Sequence, residues 1–241
     1  MLLLHLEEEE PLPGVADVVG RLADHLVRHA RDVEGPGWTS RPGQQPLCGF
    51  GHGRAGVALA LVQAGRFLDR SDLVDLGLAT FEAEHRVRGA TPEDTWPDYR
   101  GLTIREKGRA KHGMAAWCAG SEGIALSRAA ALQLVEAPHL EDDLAFALEG
   151  IGLAEPAIRT HLCCGASGRL MMHRTIARVQ GTTGAVDDAG IEGQVAGLLE
   201  RLQSADPGTM GVGLMQGIGG VACLGLDVLE ADGSDVLLLR P

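Results

Sequence analysis

Apolar runs that begin at paired glycines recur along the chain, and amphipathic segments lie between them. Four runs, at 51–61, 118–132, 163–177 and 215–226, are apolar on nearly every side and compatible with helices. Each begins at a Gly-x-x-Gly motif: Gly53/Gly56, Gly120/Gly123, Gly165/Gly168 and Gly217/Gly220. The spacing of these motifs is that of a repeated helix pair with variable loops.

The intervening segments have one apolar face. Residues 15–32 place Val15, Val18, Val19, Leu22, Leu26 and Val27 on one side of a helix, and 72–87 and 187–203 behave similarly. No segment shows sustained strict alternation, so we predict an all-α fold. The pattern indicates a two-layer α/α toroid, with buried inner helices after the glycine motifs and amphipathic outer helices between them.

Such a repeat carries the residue before each motif to the same rim of the ring. Those residues are His52, Ala119 (directly after Cys118), Cys164 (directly after Cys163) and Gln216. We therefore expect Cys118, Cys163 and Cys164 to meet at one opening. The segment 89–117 is long, polar and broken by prolines, and it leads directly into Cys118, so we interpret it as a functional loop.

Composition narrows the classes of partner and compartment. The net charge is −12, which argues against nucleic-acid binding. No apolar stretch is long enough to span a membrane, and Leu2–Leu4 is too short for a signal peptide. We therefore expect a cytoplasmic protein whose five cysteines are thiols or ligands, with a poorly ordered segment over 1–13 and one domain over 14–241.

The cysteines allow three interpretations. A bridge between the adjacent Cys163 and Cys164 would strain the peptide between them, and buried packing is common for a single free cysteine. Three thiols at one rim instead suit Zn²⁺ with an open fourth position. The chain has no CxxC pair, so the spacing of the cysteines is not diagnostic by itself. His52 could be a fourth ligand, an acid/base or a hydrogen-bonded core histidine.

A thiol entering the open position of such a metal would lose its proton readily. Thiolate addition or alkylation is thus the natural chemistry, and metal-bound hydroxide hydrolysis competes with it. The other cysteines, Cys48 and Cys223, lie off the motif position and are expected to pack.

The motifs together resemble the lanthionine synthetase C-like family. The matching pieces are GFGHGRAGVALAL, TWPDYR, AWCAGSEGIALSR, LCCGASG and the closing GLMQGIGGVACLGL with DVLLLRP, in order over about residues 46–241. The chain is most similar to the cyclase domain of class II (bifunctional) lanthipeptide synthetases. The resemblance implies a toroid around zinc, in which cysteine thiols of a dehydrated precursor peptide add to dehydroalanine or dehydrobutyrine and close thioether rings.

Carried onto this sequence, the resemblance makes Cys118, Cys163 and Cys164 the zinc ligands. It makes His52 the active-site histidine, which protonates the enolate or assists deprotonation, and places Trp117 beside the site. Asp98 and Arg100, in TWPDYR, are expected to bind substrate. Many relatives have Cys-His where this chain has Cys163-Cys164, and a subgroup has Cys-Cys.

Three departures leave other readings open. Ala119 stands where class II relatives usually have histidine, four inner-helix motifs are visible where the family ring has seven, and the dehydratase domain is missing. We therefore expect an N-terminally truncated, incomplete toroid that self-associates, or that works with a separate dehydratase or a missing N-terminal portion. The alternatives are a degenerate zinc-holding module that binds peptide without catalysis, and an unrelated α/α-toroid hydrolase or lyase.

Overall fold

The computed structural model describes residues 12–153, 159–181 and 211–229, together with residues 197, 198, 200, 203, 204 and 237. The helices in this part of the chain are α1 (Val15–His29), α2 (Arg54–Leu68), α3 (Ser71–His85), α4 (Ser121–Leu132), α5 (Pro138–Leu153), α6 (Ala166–Val179) and α7 (Ile218–Leu229). A 3-10 helix covers Ile104–Arg109, and β1 (Arg31–Asp32) pairs antiparallel with β2 (Pro36–Gly37). The predicted all-α fold is confirmed.

The helices form two layers. In the inner layer α2 packs on α4, α4 on α6 and α6 on α7, in chain order. The outer helices α3 and α5 each pack on the inner helix that precedes them, and α1 packs on the free side of α2. All four inner helices are those that the glycine motifs predict. This arrangement is compatible with a toroid.

Burial follows the two predicted types of helix. In α4 every residue from Ser121 to Ala131 is buried, as an inner position requires. In α1 the buried stripe is Val15, Val19 and Ala23, at the spacing of one helix face. Leu22 and Val27, expected on that face, are exposed because α1 contacts its neighbour along a narrower stripe.

The outer helix α5 is not among the segments that the sequence pattern singled out. Its buried apolar residues are Leu140, Leu144, Ala147 and Ile151, which recur at helical spacing. The predicted outer helix at 187–203 lies almost wholly outside the described residues. Most of the predicted disordered segment over 1–13 lies outside them too, so the domain boundaries stay a prediction.

The inner layer is open in the part of the chain that the structure describes. Among those elements, the first inner helix α2 and the last, α7, make no substantial contact. Large apolar side chains are exposed at the α7 end, namely Val212, Leu214, Ile218, Leu226 and Val228. Self-association through such an end stays a prediction. None of the described helices is long and apolar enough to cross a membrane.

Candidate functional site

The second glycine of each motif packs a loop onto the start of an inner helix. At each of these positions an added Cβ would collide with the carbonyl oxygen six residues earlier. The pairs are Gly56 with Phe50, Gly123 with Trp117, Gly168 with Leu162 and Gly220 with Leu214. Any side chain here would push the loop away, so the motif fixes the same loop geometry four times.

Backbone hydrogen bonds link these loops into one rim. The N–H of Gly51 donates to the carbonyl of Cys118 at 3.2 Å, and the N–H of Cys118 donates to that of Cys163 at 3.4 Å. The N–H of Cys163 donates to the carbonyl of Met215 at 2.8 Å. These four residues occupy equivalent positions in successive repeats. The predicted rim therefore exists, and it brings the distant Cys118 and Cys163 side by side.

The three cysteines lie in one small cluster on this rim. Cys118 and Cys163 belong to one buried cluster, against which Cys164 packs, and both neighbouring thiols act on the pKa of Cys163. Cys118 and Cys163 are buried and Cys164 is half-buried. Burial, then the two neighbouring thiols, raises the pKa of Cys163 to about 12. Nearby atoms thus oppose a negative charge at Cys163, and a bound cation would reverse that balance.

The three sulfur atoms are nevertheless not a compact set. A tetrahedral zinc site needs sulfur atoms about 3.8 Å apart. In the described residues, the set of three or more possible ligand atoms all within 4.8 Å of one another is His85, Asp142 and Asp143. The thiols have the donor chemistry for zinc and lie in one region of the rim. Their side chains must rotate before all three sulfur atoms can bind one ion.

The His85 set is a charge network. Nη1 of Arg88 lies 2.8 Å from an oxygen of Asp142 and 3.1 Å from an oxygen of Asp143. Asp143 also accepts hydrogen bonds from Arg128. Arginine cations therefore already neutralise these carboxylates, and we assign no metal to them.

His161 is a neighbour of the thiols to which the sequence assigned no role. Its Nδ1 lies 3.4 Å from the backbone N of Cys164, and its Nε2 lies 4.0 Å from the Sγ of Cys164. Burial, then the charge of Arg159, lowers its pKa, which favours the neutral ring that metals bind. Its spacing three residues before Cys164 was the available signal.

His52 and Arg100 line one cavity of about 330 Å³ next to the rim. His52 is exposed and follows Gly51, whose N–H is bonded to Cys118. Arg100 is held by Asp98 through hydrogen bonds of 2.6–3.0 Å. The Arg100 guanidinium in turn keeps the pKa of Asp98 below its usual value.

Arg100 and Trp117 connect the cavity to the thiol cluster. Nη2 of Arg100 lies 3.1 Å from the sulfur of Met114, a residue packed against that cluster. Trp117 packs there too, lies with its ring centroid 5.3 Å from that of Phe50, and donates its indole N–H to the carbonyl of Leu237 at 3.0 Å. All the predicted site residues thus border one region of the rim.

A buried ion network supports this rim, and the sequence analysis did not predict it. Arg128 of α4 pairs with Glu84 at 2.7 Å and with Asp143 at 3.0 Å, and none of the three side chains is exposed. The other carboxylate oxygen of Glu84 accepts the N–H of Gly49 at 2.9 Å. Gly49 packs directly on the backbone of Cys118 and Ala119. The network therefore positions the first rim loop against the second.

The fold and the site together define a class: helical repeats in two layers, with thiols gathered where the repeat loops meet. The family model described as "Lanthionine synthetase C-like protein" matches residues 1–239, and the chain belongs to this family. The match includes the first 45 residues, where the sequence shows none of the quoted motifs. No curated protein matches the chain. Membership supports a cyclase of the lanthionine-synthetase type.

Proposed function

We propose that this protein is a zinc-dependent peptide cyclase of lanthipeptide biosynthesis. Its substrate is a dehydrated precursor peptide, and its product contains lanthionine or methyllanthionine rings. The observation that carries the proposal is the gathering of Cys118, Cys163 and Cys164 in one cluster on the rim. We infer that it acts in the cytoplasm, where thiols stay reduced.

The three cysteines would hold the metal through their thiolates, and zinc held there would lower the pKa of a substrate thiol. In the addition, the peptide thiol gives up its proton and its sulfur bonds to the β-carbon of the dehydro residue. The C=C π bond breaks, and the α-carbon takes a proton. The reaction is an addition and needs no oxidant or reductant.

The chain supplies the proton and the positioning. His52 adjoins the rim and faces the shared cavity, so we assign to it the transfer of a proton to the α-carbon or from the incoming thiol. Trp117, Asp98 and Arg100 border the same region, and we assign them to substrate binding. Because Asp98 neutralises Arg100, the pair offers oriented hydrogen bonds without a net charge.

The test uses zinc-loaded protein and a synthetic peptide that contains one dehydroalanine and one cysteine. Alkylation followed by mass spectrometry counts the remaining thiols. We expect the peptide thiol to disappear with the wild type and to persist with Cys118→Ala, whereas Cys223→Ala should behave as wild type. A peptide thiol that persists with metal-loaded wild type would contradict the proposal.

A degenerate module that holds zinc and binds peptide is the alternative. Among the described elements α2 and α7 make no substantial contact, and an inner layer open between them would leave the substrate cavity exposed to water, which favours this alternative. Metal content and peptide binding without thiol loss would establish this alternative.

A further inference from the structure

One glutamine on the cavity wall is buried without partners. Gln45 is 1% exposed and lines the 330 Å³ cavity that also contains His52 and Arg100. Among the described residues, neither its Nε2 nor its Oε1 has a hydrogen-bond partner. A buried polar group left unpaired costs about 1–3 kcal/mol. Such a side chain, held at a cavity wall, is suited to a ligand that brings one acceptor and one donor.

The backbone around Gln45 is fixed on both sides, so a turn of the side chain alone brings its enclosed amide atoms to a ligand in the cavity. Its N–H donates to the carbonyl of Leu102 at 3.2 Å, in the loop that carries Arg100. Arg54 holds the preceding hairpin through hydrogen bonds to Val33 and Pro36 at 2.7 and 2.9 Å. The segment 38–47 is therefore held both at the hairpin that precedes it and at the loop that carries Arg100.

The chemistry of the cavity selects a neutral amide. Arg100 is neutralised by Asp98, so the wall offers no free cation to an anionic ligand. Gln44 already accepts a hydrogen bond from Ser40 at 3.0 Å, and aromatic side chains of Trp38 and Tyr99 line the rest. An amide brings both a carbonyl for Nε2 and an N–H for Oε1, which satisfies both unpaired atoms at once.

We propose that Gln45 binds one peptide bond of the substrate in this cavity and so sets which bond lies beside the thiol cluster. The inference rests on the proposed function, in which the ligand is a peptide. The cavity reaches His52, and the residue before it is bonded to Cys118. A peptide bond paired with Gln45 therefore lies next to the loop from which the reaction is carried out.

The test measures binding and stability separately. The probe is an acetylated and amidated hexapeptide with alanine and serine in place of dehydroalanine and cysteine, titrated by ligand-observed NMR. Gln45→Leu should weaken its binding about tenfold, because two neutral hydrogen bonds are lost. It should not lower the melting temperature, because it removes an unpaired buried amide.

Gln63→Leu is the matched control. Gln63 lies on α2, and its Oε1 is also buried without a partner in the part of the chain that the structure describes. This variant should keep the peptide affinity of the wild type and be equally stable. If Gln45→Leu fails to fold, Gln45→Met keeps the length of the side chain, removes both polar atoms and should still weaken binding.

Ester substitution locates the peptide bond. An ester in place of one amide lacks the N–H, and scanning it along the probe should reveal one linkage at which the wild type loses affinity. Gln45→Leu should be insensitive at that linkage, as coupled partners are. Equal affinity of wild type and Gln45→Leu for the probe would overturn the proposal.

Failure of the cyclase proposal gives a different result. If the wild type closes no ring but binds the probe in a Gln45-dependent way, the subsite stands and the cyclase assignment falls. If the wild type closes rings and Gln45→Leu has an unchanged KM and probe affinity, the subsite alone is wrong.

Discussion

The ion network under the rim and the thiol cluster on it are both buried and both polar, but they differ in how their atoms are satisfied. Arg128, Glu84 and Asp143 are fully buried, and every charge among them faces a partner at 2.7–3.2 Å. The thiol of Cys163 faces two other thiols, and burial raises its pKa to about 12. The first region is complete in itself, whereas in the second both burial and the neighbouring thiols oppose a negative charge on Cys163.

This difference distinguishes buried polar groups that stabilise the fold from buried polar groups that can bind a ligand. A buried group with all its partners stabilises one arrangement of the chain, and it gains nothing from a ligand. A buried group without them is retained at a cost, which a ligand can offset. The same contrast distinguishes Gln45, with both amide atoms unpaired, from Gln44, whose amide oxygen accepts from Ser40.

Removing the cation of the ion network should give the largest loss of stability. Arg128→Leu would leave Glu84 and Asp143 buried without their common partner, at a cost of about 3–5 kcal/mol in the free energy of unfolding. Urea denaturation followed by circular dichroism measures it. Arg21→Leu, which breaks an exposed pair with Asp17, should cost under about 0.5 kcal/mol. Equal effects would show that the network does not hold the rim.

Adding a methyl group to a motif glycine on the rim should give the next largest loss of stability. In Gly123→Ala the new Cβ would meet the carbonyl of Trp117 and displace the loop that carries Cys118. We expect a loss of about 1–3 kcal/mol together with weaker zinc binding in a chelator competition. Gly225→Ala on α7, where no atom of the described residues lies within 4 Å of the added Cβ, should instead stabilise by about 0.5–1 kcal/mol. A tolerated Gly123→Ala would contradict the close packing of the rim.

The motif glycines and the cysteines explain how much of this could be predicted from the sequence. The Gly-x-x-Gly runs correctly locate the starts of the inner helices, because a local steric requirement repeats at each of them. The proximity of Cys118 and Cys163 follows from the same repeat. Whether the thiols bind zinc stays a prediction, as do the roles of His52 and Trp117.

What the sequence did not reveal depends on contacts between distant residues. Arg128 sits in an otherwise apolar run, and its burial is possible only because Glu84 and Asp143 come from two other helices. Periodicity reports one face of one helix and carries no information on such partners. Gln45 was missed for the opposite reason, since its distinguishing property is the absence of partners among the described residues.

Truncating a thiol should affect stability little and metal binding strongly. In metal-free protein Cys163→Ala removes one buried sulfur, for which we expect a loss of about 1 kcal/mol. Bound zinc per chain, measured by atomic spectroscopy after dialysis, should fall to near zero. Cys223→Ala should retain the zinc, because Cys223 lies outside the thiol cluster. Full zinc content in Cys163→Ala would exclude that residue as a ligand.

The smallest expected effect concerns the pair beside the cavity and depends on pH. Arg100 holds the pKa of Asp98 below its usual value, so the pair stabilises the fold fully above the unfolded pKa of about 3.9. That contribution is lost as the pH falls through the lower folded pKa. Because the pair is partly exposed, we expect Asp98→Asn to cost under about 1 kcal/mol at pH 7.

Urea denaturation of wild type and Asp98→Asn between pH 7 and pH 2.5 gives the sign of the change in their stability difference with pH. The stability difference should be constant down to about pH 5, shrink below pH 4 and vanish once Asp98 is protonated in the folded state. Asp75→Asn, at an exposed carboxylate of α3, should show no such change. A difference that grows on acidification would mean that the surroundings of Asp98 destabilise its charged form. Arg100 would then not neutralise Asp98, and the cavity wall would carry a net charge.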